Sequence, residues 1–188
     1  MKNLKTIALA FVVALSTVVA TAQTKKIDVT KSNINWVGKK VTGQHNGTVA
    51  FKSGALVFKK NVLTGGNFVV DMTSLTATDL TGEYLGKLNG HLKSEDFFGT
   101  EKFPTSTLVF KTIANKGNGV YGVNADLTIK GITKPVAFDL TVKGNTASIA
   151  FNVDRTKYDI KYNSKSFFES IGDKAIYDEF ELTVNLTF

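Results

Sequence analysis

The chain of 188 residues has no cysteine, two prolines, two histidines and a single tryptophan. Without cysteine there is no disulfide, no thiolate nucleophile and no thiolate metal ligand, so an apolar core alone must hold the fold. The two histidines, His45 and His91, belong to no HxxxH, HxH or histidine–carboxylate cluster. They are read as a loop histidine and a helix-end histidine that satisfy backbone groups, and no metal site is expected. GxSxG, GxGxxG and Walker-type loops are also missing, so nothing signals an activated serine or a nucleotide. No cofactor is expected. Lysine and arginine exceed aspartate and glutamate by 23 to 16, but the surplus is scattered and forms no basic block. That pattern excludes nucleic acid as the expected partner, while a local patch for anionic headgroups stays open.

Long apolar runs are equally scarce, with one exception at the start, "MKNLKTIALAFVVALSTVVATAQTKK". Lys2 and Lys5 precede an apolar stretch from Ile7 to Val19, too short for a comfortable bilayer span. Ala20-Thr21-Ala22 then offers a small-x-small cleavage site, and a cut before Gln23 is expected. Residues 1–22 read as a secretory signal peptide and 23–188 as one domain. A retained membrane anchor is the alternative, and no cysteine follows the apolar stretch to carry a lipid. Loss of Lys2 and Lys5 lowers the formal charge from +7 to about +5. The expected location is outside the inner membrane, in the periplasm of a two-membrane host or fully secreted.

From Ile27 onward the apolar period is two. In "IYDEFELTVNLTF", Phe180, Leu182, Val184, Leu186 and Phe188 share one parity and polar side chains hold the other. The same pattern recurs with Tyr121, Val123, Ala125, Leu127 and Ile129, with Val136, Phe138, Leu140 and Val142, and with Ala147, Ile149, Phe151 and Val153. Earlier strands carry Val49, Phe51, Leu56 and Phe58, then Phe68, Val70 and Met72, then Leu108 and Phe110. A bulge is expected at Ser53-Gly54, and Pro104 should sit at a strand entrance. Short joints at 64–66, 115–119, 130–133 and 143–145 favour antiparallel hairpins. Two stretches look helical. Tyr84, Leu85, Leu88 and Leu92 share a helix face, and Phe167, Phe168 and Ile171 fit a turn or two.

Half-wet strands in series can close as a barrel or stack as a sandwich. About eight runs joined in sequence favour an all-β, antiparallel barrel with one or two short helices. A barrel of this size can be packed solid or can hold one small ligand. Asp154, Arg155, Asp159 and Lys161 mix signs as a strand end does, and Arg155 could either grip a phosphate or carbonyl oxygen or pair with a carboxylate. The open question is "HLKSEDFFGTEKFPTSTLVF" at 91–110, rich in phenylalanine but without a nucleophile–base pair. Its aromatics either close a dry core or line a cavity.

That stretch, followed by "ADLTIKGITKPVAFDL" and "DRTKYDI", resembles the YceI-like family of exported bacterial proteins across the mature chain. The resemblance implies an extended, lipocalin-like barrel holding an isoprenoid chain in an apolar tunnel. It places His91, Leu92, Phe97, Phe98 and Pro104 in a helix-to-strand lid, Leu127, Thr128, Gly131, Thr133 and Pro135 at a hairpin, and Arg155 on a late strand. Gly99, Asp159 and the first-strand "NINWVGKK" with Trp36 depart from common members, which bears on headgroup and chain length. Combined with strand parity, the implied tunnel lining is Val49, Phe51, Phe68, Val70, Phe97, Phe98, Leu108, Phe110, Tyr121, Leu127, Phe138, Leu140, Phe151, Phe180, Leu182 and Val184. Headgroup candidates are Arg155, Lys157 and Tyr158. The expected function is a carrier or reservoir for a polyprenyl phosphate, an isoprenoid quinone or a similar amphiphile, not an enzyme. An enzyme acting on a lipid headgroup and a filled-barrel interaction module are the alternatives. A homodimer is possible.

Overall fold

Alternating side chains produce strands along most of the chain in the computed structural model, which describes residues 21–168 and 172–188. The strands are β1 (Gln23–Lys26), β2 (Asn33–Lys40), β3 (Gly43–Lys59), β4 (Val62–Ala77), β5 (Thr105–Gly117), β6 (Val120–Ile129), β7 (Ile132–Lys143), β8 (Thr146–Asp154) and β9 (Ile176–Thr187). β2 to β9 pair antiparallel in the order β3-β2-β9-β8-β7-β6-β5-β4, and pairing of β3 with β4 closes the ring. The result is a closed eight-stranded barrel, as expected, and not a sandwich. β1 is a ninth, short strand laid along Ala55–Phe58 of β3.

Tight hairpins explain the sequential pairing. Lys130-Gly131 and Asn118-Gly119 both have positive φ at two successive residues, which matches strand twist. The expected joint at 64–66 is instead inside β4, and the turn falls on Lys60-Asn61, at φ 50° and 63°. Asparagine tolerates that region. Gly66 serves a different need, since a Cβ there would lie 2.6 Å from the Phe110 ring. The β3–β4 register shifts between Phe51 and Ser53, where the bulge was expected. Pro104 directly precedes β5, and its carbonyl accepts from the Met72 N–H at 3.0 Å.

Helix α1 (Gly82–Lys93) packs beside β4 with Leu92 buried and Leu85 and Leu88 against the core. Tyr84 does not join that face. It is 73% exposed, with the Lys87 ammonium 5.9 Å from its ring, because the sheltered face of α1 runs through Leu85, Leu88, Asn89 and Leu92 and leaves position 84 outside. Phe167 and Phe168 lie in a turn and are half-exposed, followed by a short 3₁₀ turn at Gly172–Lys174. Ile171 and residues 1–20 of the expected signal peptide lie outside the described residues.

Two seams are short. β7 and β8 pair only between Leu140–Lys143 and Thr146–Ile149, and β4 and β5 only between Asn67–Asp71 and Thr105–Val109. Pro135 sits on the stretch of β7 that β8 leaves unpaired, where a missing N–H is tolerated. The parts of β7 (132–139) and β8 (150–154) left unpaired with each other lie toward the end of the barrel that carries α1.

Candidate functional site

At that end the inward side chains enclose a cavity of about 300 Å³, at the lower limit of small-molecule sites. Its wall is mostly hydrocarbon and rings. β2 supplies Ile34 and Trp36, β3 Val49, β4 Val70, Met72 and Leu75, β6 Leu127 and Ile129, and β9 Phe180 and Leu182. The apolar residues of β2, β3, β6 and β9 each keep a single parity, so alternation in the sequence becomes a continuous surface, while β4 changes parity between Met72 and Leu75, where its register with β3 shifts. Leu88, His91 and Leu92 of α1 lie across the cavity with Phe97 and Phe98 from the following turn. Lys39, Lys40, His45, Tyr162, Tyr177 and Glu179 add polar groups to the lining.

The turn after α1 answers the question posed by the two adjacent phenylalanines. The Phe98 N–H donates to the Leu92 carbonyl at 3.1 Å and the Gly99 N–H to the Ser94 carbonyl at 2.7 Å, winding residues 94–99 back over the helix end. Phe97 and Phe98 are thereby brought together at 5.5 Å, with Phe98 edge-on to Phe180 at 6.2 Å. His91 packs edge-on to Phe97 at 5.5 Å and to Tyr162 at 4.4 Å. The pair lines a cavity at the helix-to-strand junction.

Trp36 owes its place to a glycine. Gly47 stands opposite it on β3, and a Cβ there would fall 2.6 Å from the indole and against the Thr76 carbonyl oxygen. The indole N–H reaches the Thr48 carbonyl at 3.4 Å. Strand alternation with Ile34 already places Trp36 on the inner face.

Of the expected lining, Val49, Val70, Phe97, Phe98, Leu127, Phe180 and Leu182 border the cavity. Phe51, Phe68, Phe110, Phe138 and Phe151 form a row of neighbouring rings in the core, outside the cavity lining. Leu108 packs against that core, and Tyr121, Leu140 and Val184 are buried within it. The barrel is thus hollow at one end and packed solid at the other.

The headgroup candidates need correction. Arg155 borders the cavity but is only 2% exposed, and its guanidinium is committed to backbone. Nε donates to the Tyr177 carbonyl at 3.1 Å, one terminal nitrogen to Ile160 at 2.7 Å and the other to Ile176 at 3.0 Å. The Asp178 carboxylate stands 3.6 Å away and Phe97 covers the guanidinium at 5.7 Å. Burial lowers the pKa of Arg155 from its ordinary value, with Asp178 and Asp154 acting against that shift. The residue is a clamp on the chain, not a free fork. Lys157 is exposed and 3.7 Å from Asp154, away from the cavity.

Tyr158 is 1% exposed, and burial, helped by Asp154, pushes its hydroxyl up to about 12. A group raised above its unfolded value of about 10 stabilises the fold fully below that pH and loses the contribution as pH rises through the folded value. An ultraviolet absorbance titration should show one of the five tyrosines ionising near 12, and Tyr158→Phe should remove that late step. A single step for all tyrosines near 10 would contradict the burial.

His45 and His91, far apart in sequence, both border the cavity. His45 Nδ1 lies 2.8 Å from the Asp79 carboxylate. Burial raises Asp79, but His45 and the Asn46 N–H outweigh it and hold the carboxyl below its ordinary range. Among the described residues no group of three or more candidate ligands gathers to hold a metal.

Comparison with known proteins agrees with this architecture. The YceI-like domain matches residues 26–188. Sequence relatives include UPF0312 proteins of Shewanella denitrificans, 48% identical over 46 residues (24% of each chain), and of Vibrio campbellii, 37% identical over 70 residues (37% of this chain, 34% of that one). The matched stretches span about a quarter to a third of these relatives. Among solved structures, BcnA of Burkholderia cenocepacia superposes with TM-score 0.67 at 22% identity, covering 86% of this chain and 99% of that one. A polyisoprenoid binding domain from Saccharophagus degradans, implicated in plant cell wall breakdown, gives TM-score 0.58 at 14% identity, covering 89% and 97%. The domain match covers residues 26–188, well over half of the chain, so this protein belongs to the YceI-like family.

Proposed function

We propose that this protein is an exported lipid-binding barrel that holds the tail of an isoprenoid, such as a polyprenyl phosphate or an isoprenoid quinone, or of a similar amphiphile, as a carrier or reservoir. The observation that carries the reading is the apolar 300 Å³ cavity with Lys39, Lys40 and His45 among its few polar groups. Each methylene-sized group withdrawn from water contributes roughly 0.8 kcal/mol before ordering costs. A tail therefore binds with few polar contacts, and affinity levels off well short of the area sum. The headgroup meets Lys40, since the guanidinium of Arg155 is occupied and the Lys39 ammonium pairs with the Glu181 carboxylate. The binding described for the Saccharophagus degradans neighbour supports the same choice of ligand. No bond is made or broken in this role.

Native mass spectrometry of protein freshly purified from its own host tests three parts of the proposal together. The expected spectrum shows a chain beginning at Gln23, an adduct with the mass of an apolar small molecule, and the number of chains per particle. Trp36, the only tryptophan, borders the cavity, so its emission should shift when farnesyl monophosphate is added. A ligand-free spectrum together with unchanged emission would sink the carrier reading. An uncleaved leader would sink the export reading alone.

A further inference from the structure

Inward positions along one strand recur every second residue, about 7 Å apart. Val49, Val70, Leu127 and Leu182 border the cavity. One step deeper on the same strands stand Phe51, Phe68, Ala125 and Val184, and none of them borders it. The cavity therefore ends at one common level on four strands. That level is crossed by five neighbouring rings. Centroids are 5.9 Å apart from Phe51 to Phe68, 5.7 Å from Phe68 to Phe110, 5.9 Å from Phe110 to Phe138 and 4.9 Å from Phe138 to Phe151. Beyond the rings Leu56, Leu63 and Leu140 belong to the buried core, and none of them borders the cavity.

We propose that this phenylalanine layer is a chain-length ruler, which accepts short prenyl tails in full and leaves the remainder of longer ones outside. The inference rests on the lipid-binding reading of the same cavity and adds the tail length. A dry cavity of about 150 Å³ holds the six carbons of benzene. A cavity of 300 Å³ then takes about a dozen carbons, or two to three isoprene units. Units beyond these stay at the mouth, where little water is displaced from them.

The test titrates geranyl, farnesyl, geranylgeranyl and octaprenyl monophosphates below their micellar concentrations, with binding read by calorimetry and Trp36 emission. Affinity should rise about tenfold or more from geranyl to farnesyl and change by less than about threefold from geranylgeranyl to octaprenyl. Phe68→Leu removes the ring that joins Phe51 to Phe110 and should carry the rise on to longer tails. Leu127→Phe narrows the cavity itself and should end the rise at geranyl. Affinity climbing steadily to octaprenyl overturns the ruler and leaves the lipid-binding reading standing. A Phe68→Leu profile that overlays the parent's does the same. Should that variant not fold, Leu127→Phe decides alone, an unshifted profile overturning the ruler. Failure of all four ligands to bind overturns the lipid-binding reading and the ruler with it.

Discussion

Replacing Arg155 with methionine should lower unfolding stability by about 4 kcal/mol. The side chain is 2% exposed and donates to three carbonyls, those of Ile160, Ile176 and Tyr177. Methionine matches the apolar stem but leaves those oxygens dry and unpaired, at about 1–3 kcal/mol each before relaxation. It also takes the guanidinium away from the buried Oδ1 of Asp178, 3.6 Å distant, leaving that carboxylate only the Ser166 hydroxyl on its other oxygen. Against a typical domain stability of about 5–15 kcal/mol, such a loss is a large share of the whole. Arg155→Lys should lose nearly as much, because one ammonium cannot span three divergent acceptors as the planar fork does. Urea unfolding of the three proteins measures the effect. A loss below about 1 kcal/mol would show that water reaches the carbonyls and that the clamp is not what holds Ile160 beside Ile176 and Tyr177.

Gly47→Ala should destabilise by about 3 kcal/mol, with a displaced Trp36 as its signature. The added methyl would meet the Thr76 carbonyl oxygen and sit 2.6 Å from the indole. Backbone on one side cannot yield, so the ring must move. Fluorescence should therefore change along with the urea midpoint. Gly86→Ala on α1 supplies the opposite sign. A Cβ at Gly86 meets nothing within 4 Å, and alanine in place of glycine inside a helix is worth about 0.5–1 kcal/mol. Equal effects from the two substitutions would mean that close approach at Gly47 is not the cause.

These two sites mark where reading by pattern succeeds and where it stops. Alternation identified the strands because one parity must be apolar wherever one face is buried, and Phe180, Leu182, Val184 and Leu186 announce β9 unaided. The hairpin at Lys60-Asn61 carries no glycine, whereas the glycines at 65 and 66 sit within a strand, so turn chemistry misplaced that joint. Helical periodicity found α1 but could not say which edge of the stripe meets the barrel, and Tyr84 fell outside. The role of Arg155 was hidden more deeply. Its partners are carbonyl groups, which every residue possesses, so no side-chain pattern reveals them. The limit of the cavity was hidden for a related reason. Parity tells which residues point inward, but only the folded barrel brings Phe51, Phe68, Phe110, Phe138 and Phe151 into one row of neighbouring rings.

The seam between β2 and β9 joins the two ends of the chain. Asn185 donates to Asn33 across a separation of 152 residues, and the Asp28 N–H donates to the Thr187 carbonyl at 2.7 Å. Every other barrel seam joins strands that are neighbours in the sequence. Hairpins can therefore zip as they are synthesised, while the last seam waits for the final residues and bears the entropy of closing the longest loop. Until then the nascent sheet has two unpaired margins, and masking them would keep one copy from stitching to the next.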